Sequence, residues 1–104
     1  MAFSVRYSEQ AADDLEEILT YIKDVLFSSQ AAYSFYKAVE KKLVQLSDNP
    51  YIYPLHHDDT LRQKGFRFTA AGNYLLFYTI NDDDSSVNIV RILYGKRDLP
   101  SAFI

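Results

Sequence analysis

The chain has no cysteine and no tryptophan, and only three glycines and three prolines among its 104 residues. Without cysteine there is no disulfide, no thiolate nucleophile and no Cys-bearing metal site. Three scattered glycines do not make a loop that cradles phosphate. No apolar run approaches the roughly 20 residues that cross a bilayer. The first residues do not join a basic stretch to an apolar one as a secretion signal does, so a cytoplasmic protein with no membrane partner is expected. What is present suits a globular protein: 48% hydrophobic and 24% charged residues, with nine Tyr and seven Phe. A length of 104 residues suits a single domain spanning 1–104.

Charge is unevenly spread. Residues 1–60 carry five basic and ten acidic side chains, a net of −5. Residues 61–104 carry six basic and four acidic ones, a net of +2, and the two halves sum to the formal −3. An acidic total excludes broad, sequence-independent nucleic-acid binding, whose affinity comes from Lys and Arg neutralising phosphates. It leaves room for a local basic site in the C-terminal half.

Periodicity lays out the elements. Phe3, Val5 and Tyr7 alternate with Ser4 and Arg6, which predicts a half-buried strand within residues 2–7. Ser8 can cap a helix that Glu9 favours electrostatically. Ala11, Leu15, Ile18, Ile22 and Val25 then recur at three- and four-residue steps, so a first amphipathic helix is expected over 9–26. Ser28 and Ser29 interrupt the pattern. Ala32, Phe35, Tyr36, Val39, Leu43 and Leu46 trace a second helix over 29–47, stopped ahead of Pro50. A short link between the two helices implies an antiparallel hairpin.

Residues 48–64 read as a loop, pinned by Tyr51, Ile52, Tyr53 and Leu55, with His56, His57, Asp58 and Asp59 in solvent. Strands follow at 66–69, 74–80 and 87–94, separated by turn residues at Ala71-Gly72-Asn73 and a polar turn over 81–86. The expected fold is α+β, in the order β-α-α-β-β-β, with a two-helix hairpin packed on a small antiparallel sheet.

Three stretches together resemble the RelE/ParE superfamily, the toxins of type II toxin–antitoxin modules. "VRYSEQAADDLEEILTYI" carries Ser8, Ala11, Asp14 and Leu15 at the family spacing. "GFRFTAAGNYLLFYTI" carries Gly65, Arg67, Asn73, Tyr74 and Tyr78. "VNIVRILYGKRDL" resembles the ParE-type ending. The resemblance implies a cognate antitoxin as partner, contact with operator DNA only through that antitoxin, and a role in plasmid stabilisation or growth inhibition. It offers two targets: DNA gyrase for ParE-like members, and the ribosome with its mRNA for RelE-like endoribonucleases. A toxin fold that acts mainly as an antitoxin partner is the third reading.

Cleavage of RNA through its 2′-hydroxyl needs a base, phosphate-binding cations and an acid at the leaving oxygen. Of the residues that the RelE resemblance implies, only Arg97 has a match. Leu75 stands where a central-strand Arg is expected and Phe103 where a Tyr is, and a phenyl ring cannot move a proton. A nuclease would have to be assembled from Arg67, Tyr94, Lys96 and Arg97. The ParE-like reading needs only a surface that binds, for which Lys96, Arg97, Asp98, Tyr94 and Arg67 are the candidates.

Each has a plainer alternative. Arg97 and Asp98 can form a surface ion pair worth under about 1 kcal/mol. Arg91 can snorkel or pair with a helix carboxylate. Arg67 can be a solvated face, and Tyr74 and Tyr78 core-edge aromatics rather than stacking platforms. No cofactor and no metal are expected: adjacent side chains in His56-His57-Asp58-Asp59 point to opposite sides of an extended chain, and no distant ligand completes a shell.

Overall fold

A computed structural model describes residues 2–95. Strand β1 (Ser4–Tyr7) leads into α1 (Glu9–Thr20), continued by a π-helical turn, Tyr21–Val25. Helix α2 (Ser29–Asp48) follows, then a 3-10 turn at Pro50–Ile52 and a short helix α3 (Asp59–Gln63). Strands β2 (Arg67–Ala71), β3 (Tyr74–Asn81) and β4 (Ser86–Tyr94) complete a sheet of order β1-β4-β3-β2.

The helices begin where their caps permit. The Ser8 hydroxyl accepts the Ala11 amide at 3.0 Å and the Ser28 hydroxyl the Ala31 amide at 3.0 Å, each satisfying a donor that the first helical turn leaves over. The stripes then bury Ala11, Leu15 and Ile18 from α1, Ile22 from the π turn, and Ala32, Phe35, Val39 and Leu46 from α2 against one face of the sheet. The antiparallel hairpin is seen in its contacts. Leu19, Thr20 and Lys23 face Ala32, Tyr33 and Tyr36 across a shared crevice, and the Phe3 amide reaches the Ser47 carbonyl at the other end of α2. The expected continuous helix over 9–26 instead loosens into π winding, with the Leu26 amide bonded to the Tyr21 carbonyl at 3.2 Å. The chain then turns at Phe27, a left-handed residue at φ +53 that exposes 88% of its surface.

Strands β2, β3 and β4 form the expected antiparallel meander, and Gly72, at φ +58, begins the two-residue turn from Ala71 to Tyr74. The first strand departs from expectation. It lies parallel to β4, Ser4 opposite Ser86 and Tyr7 opposite Ile89. Only short hairpin links dictate antiparallel neighbours, and three helices and two strands separate β1 from β4 in sequence, so local rules could not set its sense.

Where β1 stops, β4 runs on, and side chains of the first helix take over the vacated edge. The Ser8 amide donates to the Ile89 carbonyl at 2.8 Å and the Ser8 hydroxyl to the Val90 carbonyl at 2.9 Å. Val90 is the extra residue of a β-bulge, since Tyr78 faces Ile89 while Phe77 faces Arg91. Two residues on, Asp14 accepts the Ile92 amide at 3.0 Å and the Arg91 guanidinium at 2.8 and 3.1 Å. Both side chains of this pair are nearly buried, at 12% and 11% exposure for Arg91 and Asp14. Arg91 is thus the partner of a helix carboxylate.

The region expected as a solvated loop is partly helical and partly buried. Pro50 starts the 3-10 turn, and the Asp58 carboxylate caps α3 by accepting the Leu61 amide at 3.1 Å. Beneath α3 a second small core forms on the other face of the sheet, from Leu61, Phe66 and Phe77. His56 belongs to it rather than to solvent: it is 3% exposed, packs on Phe68 at 5.0 Å and Phe77 at 5.9 Å, and its Nδ1 accepts the Asp58 amide at 2.9 Å. An imidazole that accepts there is neutral. Burial, aided by neighbouring His57 and opposed by Asp58, holds its pKa below the ordinary 6.5.

Two outcomes follow for stability. Replacing Asp14 with Ala removes the carboxylate that the Arg91 guanidinium and the Ile92 amide share, so the unfolding free energy in urea should fall by about 3 kcal/mol, with Asp14→Asn losing less because it still accepts from Ile92. The unfolded chain binds a proton at His56 more readily than the folded one, so stability is complete above pH 6.5 and should decline as pH falls below it. Melting temperatures across that window should show the decline in the native chain and a flatter profile in His56→Phe.

Candidate functional site

The last strand delivers its end to the surface. Tyr94, the final residue of β4, is 44% exposed and stands opposite Tyr74 in register. Their rings meet edge to face, 5.7 Å between centroids at 67°, and Phe35 supports Tyr74 from behind at 5.2 Å. Burial, with smaller contributions from Tyr21 and Tyr94, raises the Tyr74 pKa and keeps its phenol protonated. Glu17, Ile18 and Tyr21 close the other side of a cleft of about 440 Å³. This cleft adjoins a groove of about 500 Å³ along α1, which shares Glu17 and Tyr21 and adds Asp13, Glu16 and Asp24.

Gly95 sets how the chain leaves the sheet. Its amide donates to the Asn73 carbonyl at 2.9 Å. A Cβ at this position would lie 3.2 Å from that carbonyl oxygen and 3.7 Å from Leu75 Cγ, so the close approach favours glycine. Lys96, Arg97 and Asp98, which follow directly, lie outside the described residues, as does Phe103.

Arg67 is occupied elsewhere. At the start of β2 it faces Tyr78, donates from Nη1 to the Tyr53 carbonyl at 2.6 Å, and lies over the Tyr51 ring at 5.1 Å. Tyr51 is anchored in turn by its hydroxyl on the Asp82 carboxylate, a hydrogen bond that also raises the phenol pKa. Tyr78 is fully buried, its hydroxyl donating to the Pro50 carbonyl at 2.8 Å and its pKa pushed up to about 12, burial being the main cause. Arg67 and Tyr94 are two strands and four residues apart, about 16 Å between Cα atoms from ordinary strand spacings. The fold therefore does not bring these two candidates together.

Tyr94 instead gathers Tyr74, Tyr21 and Glu17 around it. Tyr21 is legible in the sequence as a large aromatic off the apolar stripe that runs from Ala11 to Ile22, whereas nothing local marks Glu17 among the acidic residues of that face. Among the described residues no group of three or more His, Asp or Glu could hold a metal ion, and no helix is long and apolar enough to cross a membrane.

The family model for the ParE toxin of the type II toxin–antitoxin system parDE matches residues 5–99. Among solved structures, the chain is similar to the chromosomal ParDE system of P. aeruginosa at 15% identity and a TM-score of 0.72, covering 91% of this chain and 98% of that one. It is similar to the isolated E. coli RelE toxin at 16% identity and TM-score 0.63, covering 98% and 94%. It also resembles a chain of the intact E. coli RelBE toxin–antitoxin complex, at 17% identity and TM-score 0.62, covering 92% and 100%. At such identities these structures share the fold. No curated protein matches it in sequence.

If Arg67 is structural, Arg67→Ala should cost about 1–2 kcal/mol in urea unfolding through the lost carbonyl bond and ring contact. A purely target-contacting Arg67 would leave the unfolding midpoint unmoved.

Proposed function

The chain belongs to the ParE toxin family, the toxins of type II toxin–antitoxin systems, and from that premise we propose that it arrests growth by binding DNA gyrase through the end of β4 and the basic residues beyond it. The observation that carries this reading is the exit of the chain at Tyr94–Gly95, where an exposed tyrosine and a pinned glycine lead directly into Lys96, Arg97 and Asp98. A binding surface needs exposed, charged and aromatic groups on a rigid support. The sheet register and the Gly95–Asn73 hydrogen bond supply the support.

The alternative, a ribosome-dependent nuclease, needs its proton-transfer and phosphate-binding groups within hydrogen-bond reach of one bond. Arg67 is committed to Tyr53 and Tyr51, well away from Tyr94, and the central strand offers Leu75, which is chemically inert. These placements favour inhibition by binding over catalysis. A cognate antitoxin is the expected neutralising partner, as the ParDE and RelBE assemblies among the structural relatives suggest.

Expression of the chain alone should halt growth, relax supercoiled plasmid and leave mRNA intact, and Arg97→Ala should restore most growth. Undisturbed supercoiling with fragmented messages would turn the reading to the nuclease. Normal growth with the wild-type chain would leave a toxin fold that serves its antitoxin.

A further inference from the structure

The cleft beside Tyr94 has more chemistry than a support for the chain exit requires. Three tyrosines, Tyr21, Tyr74 and Tyr94, line it together with apolar Ile18 and the acidic Glu17. Tyr21 and Tyr94 are about half exposed, at 48% and 44%. The edge-to-face set of Tyr74 against Tyr94, at 67°, gives the cleft walls of different orientation. Glu17 makes no ion pair among the described residues.

Aromatic faces are electron-rich and attract cations, most strongly where water is partly excluded. A nearby carboxylate adds a full charge to that attraction. Elsewhere in the molecule this chemistry is already satisfied internally: Lys37 lies over Tyr33, Lys42 over Tyr53 and Arg67 over Tyr51. Those three cations are therefore committed away from the cleft.

We propose that the cleft formed by Glu17, Ile18, Tyr21, Tyr74 and Tyr94 is a binding site for a guanidinium side chain presented by a peptide segment of a partner protein. Guanidinium is favoured over ammonium because it is planar and weakly hydrated, so it can stack on a tyrosine face while its N–H groups reach Glu17. A peptide is favoured over a free small cation because the cleft opens into the longer groove edged by Asp13, Glu16 and Asp24. That groove offers complementary charge to residues flanking the arginine. The site does not depend on which macromolecule the toxin inhibits.

The test uses the full chain with ¹³C-labelled tyrosine, followed by aromatic NMR at low ionic strength. The probes are the capped tripeptide Ala-Arg-Ala, its citrulline isostere, and millimolar guanidinium ion. The arginine peptide should shift the Tyr21, Tyr74 and Tyr94 ring signals saturably while Tyr51 stays still, and the neutral citrulline peptide should bind about tenfold more weakly. Glu17→Gln and Tyr94→Ala should each weaken the arginine peptide about fivefold with the far-UV circular dichroism unchanged.

Equal response to arginine and citrulline peptides, or indifference to both substitutions, would overturn the site. Guanidinium ion binding as well as the peptide would overturn the peptide assignment. A chain that binds the probe only after Arg97→Ala would show the cleft filled by the protein's own cation, which also overturns it. Growth arrest and plasmid relaxation are read in separate assays, so failure here leaves the gyrase reading standing or falling on its own.

Discussion

The junction between Asp14 and the far end of β4 is the constraint from which the rest of the architecture follows. Strand β1 covers β4 only as far as Ile89, and a bulge at Val90 then breaks the regular ladder. An uncovered strand edge with a buried guanidinium beside it would be costly. One carboxylate answers both needs by accepting the Ile92 amide and both ends of the Arg91 fork, while Ser8 serves the two carbonyls before it. The first turns of α1 are thereby fixed against the sheet. That fixes where Glu17 and Tyr21 fall, and so the side of the molecule on which the tyrosine cleft opens.

Much of this was legible in the sequence, and for identifiable reasons. The stripe from Ala11 to Ile22 and the alternation of Phe3, Val5 and Tyr7 are local signals that tertiary packing reinforced. The helix-carboxylate alternative for Arg91 was legible too, although the choice of Asp14 required the fold. His56 was misplaced because a polar tetrad normally marks solvent, and only the nearness of Phe68 and Phe77 across the sheet makes an apolar home for an imidazole. Helix α3 is five residues long, too short for periodicity to show, and was betrayed only by the capping Asp58. The parallel sense of β1 has no local signature at all.

The candidate site divides in the same way. Tyr94 was recognisable from its place at the end of the last strand. Its companions Tyr21 and Tyr74 come from an early helix and a neighbouring strand, and only the three-dimensional register assembles them. Arg67 illustrates the converse: an arginine alternating with phenylalanines reads as outward-facing, yet a carbonyl and an aromatic ring supplied by the 3-10 turn and the residue after it capture it. The fold and the family model place the chain among these toxins, whereas a target is selected by surface groups that a shared fold leaves open.

The pairing of Asp14 with Arg91 spans 77 positions, and among the described residues β1 waits on β4 for its one neighbour in the sheet. Contacts of that range close late. While the chain is being made, its N-terminal helices have no sheet on which to settle until the last strand has emerged from the ribosome. Synthesis thus imposes a delay before α1 can settle, an interval in which the strand end that carries Tyr94 has no sheet to hold it.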